Sequence, residues 1–279
     1  MAAAYRDAQL PGARRARYRV RAFLGRLFGS TPGRRISGRP TSSNRASSFH
    51  LIWEMPRSEP ITAVSVVLTI VEPPRVNRLY FWALQAGFVD GNTPTGGAHL
   101  GLQWHPGYPG STAVNWGGYR AARRGGGELD GSMSDLPSSL NNANTRDFLW
   151  QAGTSYRLRI AGAADRPGAW VGTVEDLQRN RLTVVRELWA GGSRLADPVV
   201  WSEVFADCDD PPAAAQWSAF SAETASGEEV RPVALRTNYQ TYEAGGCDNT
   251  NVLVTSDGIV QRTSTERSVS AGTRIGWPR

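Results

Sequence analysis

Asn251-Val252-Leu253-Val254-Thr255, then Ser256-Asp257-Gly258, then Ile259-Val260-Gln261-Arg262-Thr263: two β-branched runs flank a turn that ends in Asp-Gly. Asp-Gly supplies the positive φ angles that a tight hairpin demands, so this stretch predicts two adjacent antiparallel strands. The same pattern repeats in the rest of the chain. Short apolar or alternating runs occur at 49–53, 63–71, 79–88, 98–104, 112–116, 156–160, 169–174, 182–189, 199–205, 216–220, 230–238, 252–255 and 259–263. Clusters of Gly, Pro, Asn and Asp separate them, and helical periodicity is scarce, with 138–148 at most a short turn of helix. Ten tryptophans, from Trp53 to Trp277, sit on or beside these runs. Large aromatics on half-buried strands fill the space between two layers. The expectation is an all-β fold, a two-sheet antiparallel β-sandwich of jelly-roll type over 49–279, preceded by a basic tail over 1–48.

The chain has no lysine, so its 31 basic residues are all arginine, and the formal net charge is +6. The charge is unevenly placed. Residues 1–48 hold 11 arginines against the single acid Asp7, whereas 49–279 carry 20 arginines against 24 acids, a net −4. Nucleic-acid-binding domains carry positive charge on their own folded face, so the body is not expected to bind nucleic acid. Within the tail, Ala16, Val20, Phe23, Leu24, Leu27 and Phe28 fall at helical spacing opposite arginines, as in a basic amphipathic helix suited to a membrane surface or a polyanion. The stretch 29–48 has the Ser, Gly, Pro and Arg content of a disordered linker. No run approaches the roughly 18 apolar residues of a membrane span. The tail shows no signal-peptide apolar core, and Arg34-Arg35 is not followed by one.

Several chemistries are excluded by composition. Without lysine there is no phosphate-binding P-loop of the usual kind, no Schiff base and no Ser-x-x-Lys nucleophile, and neither Gly-x-Ser-x-Gly nor His-Glu-x-x-His occurs. The triple glycine Gly125 to Gly127 reads as a flexible loop. His50, His99 and His105 are the only histidines. His99 and His105 lie about 20 Å apart on an extended strand, too far to share an ion. No resident cofactor is expected beyond a structural Ca²⁺ held by Asp207, Asp209 and Asp210, or by Asp248 with Asn249 and Asn251, the alternative being ordinary solvated loop acids. For glycoside hydrolysis or elimination, the candidate carboxylates are Glu128 with Asp130, or Glu203 with Asp207, Asp209 and Asp210. Cys208 and Cys247, both in loop-like contexts, form either one disulfide in an oxidising compartment or two free thiols in the cytoplasm.

Sugars stack on exposed Trp and Tyr while amides and guanidiniums take their hydroxyls. Trp104, His105, Tyr108, Trp116 and Tyr119 cluster in sequence around one hairpin, and Arg120, Arg123 and Arg124 beyond them suit an acidic glycan. Trp104, His105, Trp116 and Tyr119 are therefore the candidate ligand contacts.

Five segments carry a family likeness: HLGLQW (99–104), NWGG (115–118), WQAGTSYRLRI (150–160), AWVGTV (169–174) and WSEVF (201–205). In order and spacing over about 60–240 they resemble the bacterial family known as domain of unknown function 3472, and the Trp150, Gly153, Tyr156 strand is the closest match. The resemblance implies a concanavalin-like β-sandwich, often exported and found in proteins associated with carbohydrates. It assigns no catalytic residue. The resulting expectation is a non-catalytic module of the cell envelope or exterior that binds a glycan or envelope polysaccharide. The alternatives are a polysaccharide hydrolase or lyase, or a structural or protein-interaction domain, and a cytoplasmic location remains the alternative to export.

Overall fold

The structure, a computed structural model, describes residues 33–56 and 60–276. Its strands are all paired antiparallel, and among the described residues helical structure is confined to two single 3₁₀ turns, Pro109–Ser111 and Ala122–Arg124. In spatial order, one layer runs β6 (Thr145–Asp147), β5 (Thr112–Arg120), β4 (Thr93–Trp104), β3 (Tyr80–Asp90), β10 (Arg194–Val204), β1 (Ser47–Glu54), β13 (Ala234–Tyr239) and β16 (Arg274–Gly276). The other runs β9 (Arg181–Trp189), β8 (Ala169–Asp176), β7 (Ser155–Gly162), β2 (Ile61–Glu72), β11 (Ala214–Thr224), β15 (Gly258–Arg262) and β14 (Asn251–Thr255), with β12 (Glu229–Val230) beside β11.

Hydrogen bonding continues from one layer to the other at a corner, where Leu195 of β10 pairs with Ile61 of β2. β10 is bulged there between Ala196 and Val199, with Asp197 at φ 50°, and a bulge bends a strand enough for it to serve both layers. The opposite side is closed by residues 128–134, which bridge from β5 (Tyr119 to Glu128) to β9 (Gly131 to Leu188). The expected β-sandwich is therefore the architecture observed.

Between the layers pack Val64, Val66, Leu68 and Ile70 of β2, Leu84 of β3, Leu100 and Leu102 of β4, and six tryptophans: Trp53, Trp82, Trp116, Trp150, Trp170 and Trp217. Trp116 needs Gly172 opposite it, because a Cβ there would lie 2.8 Å from the indole. Trp189 is exposed and Trp201 lies on the other face of the first layer.

The quoted hairpin forms with Thr255 paired to Gly258, so the turn is Ser256-Asp257 and the positive φ falls on Gly258. The run expected at 230–238 is divided, because Pro232 has no N–H for a ladder and separates β12 from β13. No helical turn forms over 138–148. The Asn142 carboxamide accepts from the backbone of Asn144 and Thr145, a local turn that competes with a helix, and β6 follows directly.

β1 begins two residues inside the expected tail. Residues 33–46 form neither strand nor helix, yet they are tied down rather than loose: Cys208 N donates to Gly38 O (2.8 Å), Gly38 N to Asp209 Oδ1 (2.8 Å), Thr41 N to Gly245 O (3.0 Å) and Asn249 Nδ2 to Ile36 O (3.2 Å). The helix expected over 13–28 lies outside the described residues. Cys208 and Cys247 are joined, with Cα atoms 5.6 Å apart, and clamp the loop after β10 to the loop after β13. Among the described residues no helix is long and apolar enough to cross a membrane.

Candidate functional site: the outer face of the first layer

Side chains alternate along a strand, so the inward set of β1, β10, β3, β4 and β5 fixes an outward set as well. Register aligns that outward set in rows across the strands. One row is His50, Trp201, Ala83, Gly101 and Asn115; the next is Ser48, Glu203, Phe81, Gln103 and Ala113; on the other side lies Ile52, Val199, Gln85, His99 and Gly117. Small residues form the floor, and Gly101 is obligatory because a Cβ there would run into the Trp82 carbonyl. The aromatic part is built edge-to-face, with the Phe81 ring 4.9 Å from Trp201 and 5.4 Å from His99. Trp201 Nε1 donates to Gln85 Oε1 at 3.1 Å.

The polar groups of this face are under-used. Gln103 is 0% exposed, and neither its Nε2 nor its Oε1 has a hydrogen-bond partner. Asn115 donates to Thr145 Oγ1 (2.8 Å), but its Oδ1 is unpartnered, as is His50 Nδ1. Buried polar groups are nearly always hydrogen-bonded, because each one left unpaired costs about 1–3 kcal/mol. Three residues with such groups, Gln103, Asn115 and His50, lie in two adjoining rows of this face.

The ionisable groups here are tuned by burial. His50 and His99 are both pushed down to about 4 by desolvation, so both are neutral at pH 7. Burial raises the Glu203 carboxyl, against the opposing hydrogen bonds from Asn44 (2.9 Å) and Ser48. Tyr119 lies on the same face, opposite Gly97, and its phenol is raised by burial and then by the charges of Glu128 and Glu203.

The four ligand contacts expected from sequence do not converge. Trp116 is 0% exposed and lies between the layers, so it offers no stacking surface beside the others; residues 116 and 119 differ by an odd number, so Tyr119 points out from the opposite face. Trp104 packs at the margin of the core with Nε1 donating to Val76 O (3.2 Å). His105 lies past the end of β4, where its ring meets Tyr108 at 4.9 Å and burial lowers its pKa. Arg120 and Arg123 are engaged, by Asp130 (2.6 Å) and by the Pro94 carbonyl respectively.

The carboxylate groupings also separate. Asp130 is held by Arg120, while Glu128 takes a long bond from Asn144 (3.4 Å), so the two do not act as a facing pair. Glu203 stands on the sheet face and the three aspartates occupy the loop after it. There Asp210 accepts from Asp207 N (2.8 Å), Asp209 from Gly38 N, and Asp207 lies 3.6 Å from Arg39. Asp248 accepts from Arg35 N (2.6 Å), and Asn251 Oδ1 from Ser268 N and Val269 N. Backbone N–H groups thus take oxygens of Asp209, Asp210, Asp248 and Asn251, while Asp207 Oδ1 and Asn249 Oδ1 accept no hydrogen bond. Among the described residues no three His, Cys, Asp or Glu side chains gather to hold a metal ion.

Sequence reasoning missed Gln103, Asn115, Gln85, His50 and Trp201. A signal existed, since Gln85, His99 and Gln103 interrupt otherwise apolar strands at even spacing. Two strands read separately do not reveal that these positions adjoin.

No protein-family model matches the chain, and no curated protein does either. Among solved structures the chain is similar to scytalido-glutamic peptidase bound to a peptide-based transition-state analogue, at 12% identity and a TM-score of 0.45, covering 78% of this chain and 98% of that one. It is similar to SCP-B, an eqolisin-family peptidase in complex with the tripeptide Ala-Ile-His, at 10% identity and 0.41 over the same shares. A more distant likeness is to the alginate lyase from Klebsiella pneumoniae, at 11% identity and 0.24, covering 58% of each chain.

Proposed function

We propose that the outer face of the first layer is a carbohydrate-binding surface, and that the protein is an exported sandwich module of the kind implied by its resemblance to the domain of unknown function 3472 family. The observation that carries the reading is Gln103, a fully buried amide with both ends unpartnered, on the strand beside Asn115, whose side-chain carbonyl is also unpartnered. Sugar hydroxyls both donate and accept, so they complement the Gln103 amide and the Asn115 carbonyl together. Phe81 and Trp201 supply the apolar surface that a sugar ring needs. The disulfide agrees with an oxidising compartment.

Binding of neutral and acidic oligosaccharides to the native protein and to Gln103→Met, followed by Trp fluorescence and calorimetry, tests this. The expected result is saturable binding that Gln103→Met abolishes while the fold is kept. Binding unaffected by that substitution moves the site elsewhere; no binding at all removes the reading.

A second reading has its own support. Glu203 is 8% exposed, burial raises its carboxyl above the usual carboxylate range, and it lies across Phe81 from Gln103, an environment that favours a protonated carboxyl able to donate. On this reading the same face belongs to a polysaccharide hydrolase or lyase. Turnover of a bound oligosaccharide, lost in Glu203→Gln with binding retained, separates the two readings.

A further inference from the structure

Around the edge of β5 from the outer face lies the seam where the two layers meet under residues 128–134. Register puts Arg146 opposite Val114, on the inward side of β6, and Arg186 opposite Gly172, on the inward side of β9. The five-membered ring of Trp116 rests on Gly172, within 2.9 Å of where a Cβ would stand. Laterally paired residues lie about 5 Å apart, so the indole and the Arg186 guanidinium are neighbours. Arg146 is near enough for its charge to bear on Arg186.

In this seam three N–H donors are buried without a partner: Trp116 Nε1, Arg146 Nε and Arg186 Nε. Arg186 is 6% exposed, and its bond to Asn144 Oδ1 (2.7 Å) ties it to the loop along β5. None of the three groups can accept a hydrogen bond, so only an acceptor satisfies them together. The fixed charges agree in sign: Arg120, Arg146 and Arg186 face Glu128 and Asp130, and Asp130 is already taken by Arg120 at 2.6 Å. The strap over the seam starts at Gly125-Gly126-Gly127, where Gly125 and Gly126 adopt φ of 95° and 62°.

We propose that this seam is a carboxylate-binding subsite, in which Arg146, Arg186 and the Trp116 indole N–H receive the carboxylate of a uronic acid unit whose neighbouring sugars lie on the Gln103 face. Guanidinium presents parallel N–H groups to a carboxylate, and such charge-assisted bonds are roughly twice as strong as neutral ones. The inference deepens the carbohydrate reading, on which it rests for the source of the carboxylate.

The experiment follows the Arg Nε–H and Trp Nε1–H signals of the native protein by NMR while D-glucuronate, or D-glucose as control, is added. Glucuronate is expected to shift the Trp116 and arginine signals and glucose to leave them still. Arg146→Gln, at the less buried end of the seam, is expected to weaken glucuronate binding about tenfold or more, and neutral oligosaccharide binding is expected to be unchanged. Signals that do not respond to glucuronate overturn the subsite, even if neutral oligosaccharides bind at Gln103. Equal response to glucose also overturns it. A glucuronate response without any Gln103-dependent binding upholds the subsite and refutes the Gln103 face as the place where neutral sugars bind. The native titration is decisive whether or not the variant folds.

Discussion

Replacing Gln103 with methionine should make this protein more stable. The two side chains are of similar length and volume, so packing is nearly conserved, and a volume-conserving change in a core position costs little. What disappears is an amide at 0% exposure with no partner at either end. An unsatisfied buried polar group costs about 1–3 kcal/mol, and taking about 2 for the amide as a whole gives a gain of that size. For a folded unit of this size each kcal/mol moves Tm by about 2–4 °C, so Gln103→Met should melt about 4–8 °C higher by calorimetry. Gln261 provides the control with the opposite sign. It is equally buried, but its Oε1 accepts from Ser202 Oγ (2.8 Å) and Trp217 Nε1 (2.9 Å) and its Nε2 donates to Phe49 O (2.9 Å). Gln261→Met therefore strands three partners and should destabilise the fold by about 3 kcal/mol or more, lowering Tm. If Gln103→Met melts at or below the native temperature, the Gln103 amide is hydrogen-bonded in solution, and the observation behind the binding proposal falls. A gain in stability together with a loss of ligand binding would be the trade expected of a site kept for function.

Three further outcomes follow from the same structure. The Cys208–Cys247 bridge closes a separation of 39 residues, so Cys208→Ser with Cys247→Ser should cost about 4 kcal/mol on the chain-entropy scale, read from urea unfolding, and should speed amide exchange over 33–46; unchanged stability and exchange would show that the clamp carries no strain of the loops. His50 and His99 have folded-state values depressed from 6.5 to about 4, so the unfolded chain takes up protons first as pH falls. Stability should be full above about pH 6.5 and decline towards pH 4 by up to about 3 kcal/mol per imidazole, and His50→Asn with His99→Asn should flatten that slope in urea midpoints against pH. Glu203 has its folded-state value raised, so its ionisation opposes folding as pH rises through it; Glu203→Gln should stabilise the protein at neutral pH and lose that advantage in acid, and a constant difference across pH would show that Glu203 does not titrate differently on folding.

Much of the fold was legible in the chain because alternation is a local property. The runs at 79–88, 98–104 and 199–205 read as strands from their own residues, and β3, β4 and β10 cover them to within one residue. The divided run at 230–238 was misread although Pro232 stood in it, since one missing N–H decides pairing only when a neighbour is there to pair. The ligand candidates Trp104, His105, Trp116 and Tyr119 were chosen by nearness in sequence, and a strand sends adjacent positions to opposite faces, so nearness separated what it was meant to gather.

The sequence by itself determined an antiparallel β protein, an acidic body behind an arginine-rich segment, a pair of cysteines and the absence of lysine chemistry, because composition and period need no partner strand. Tertiary structure alone decided that Gln103, Asn115, His50, Trp201 and Glu203, drawn from four strands, share one face. It alone brought Arg146 and Arg186, 40 positions apart, to one seam. Register across strands and the closing of two layers place those groups together, and neither is written in any single strand, since each is fixed only by which other strand it meets and at what offset.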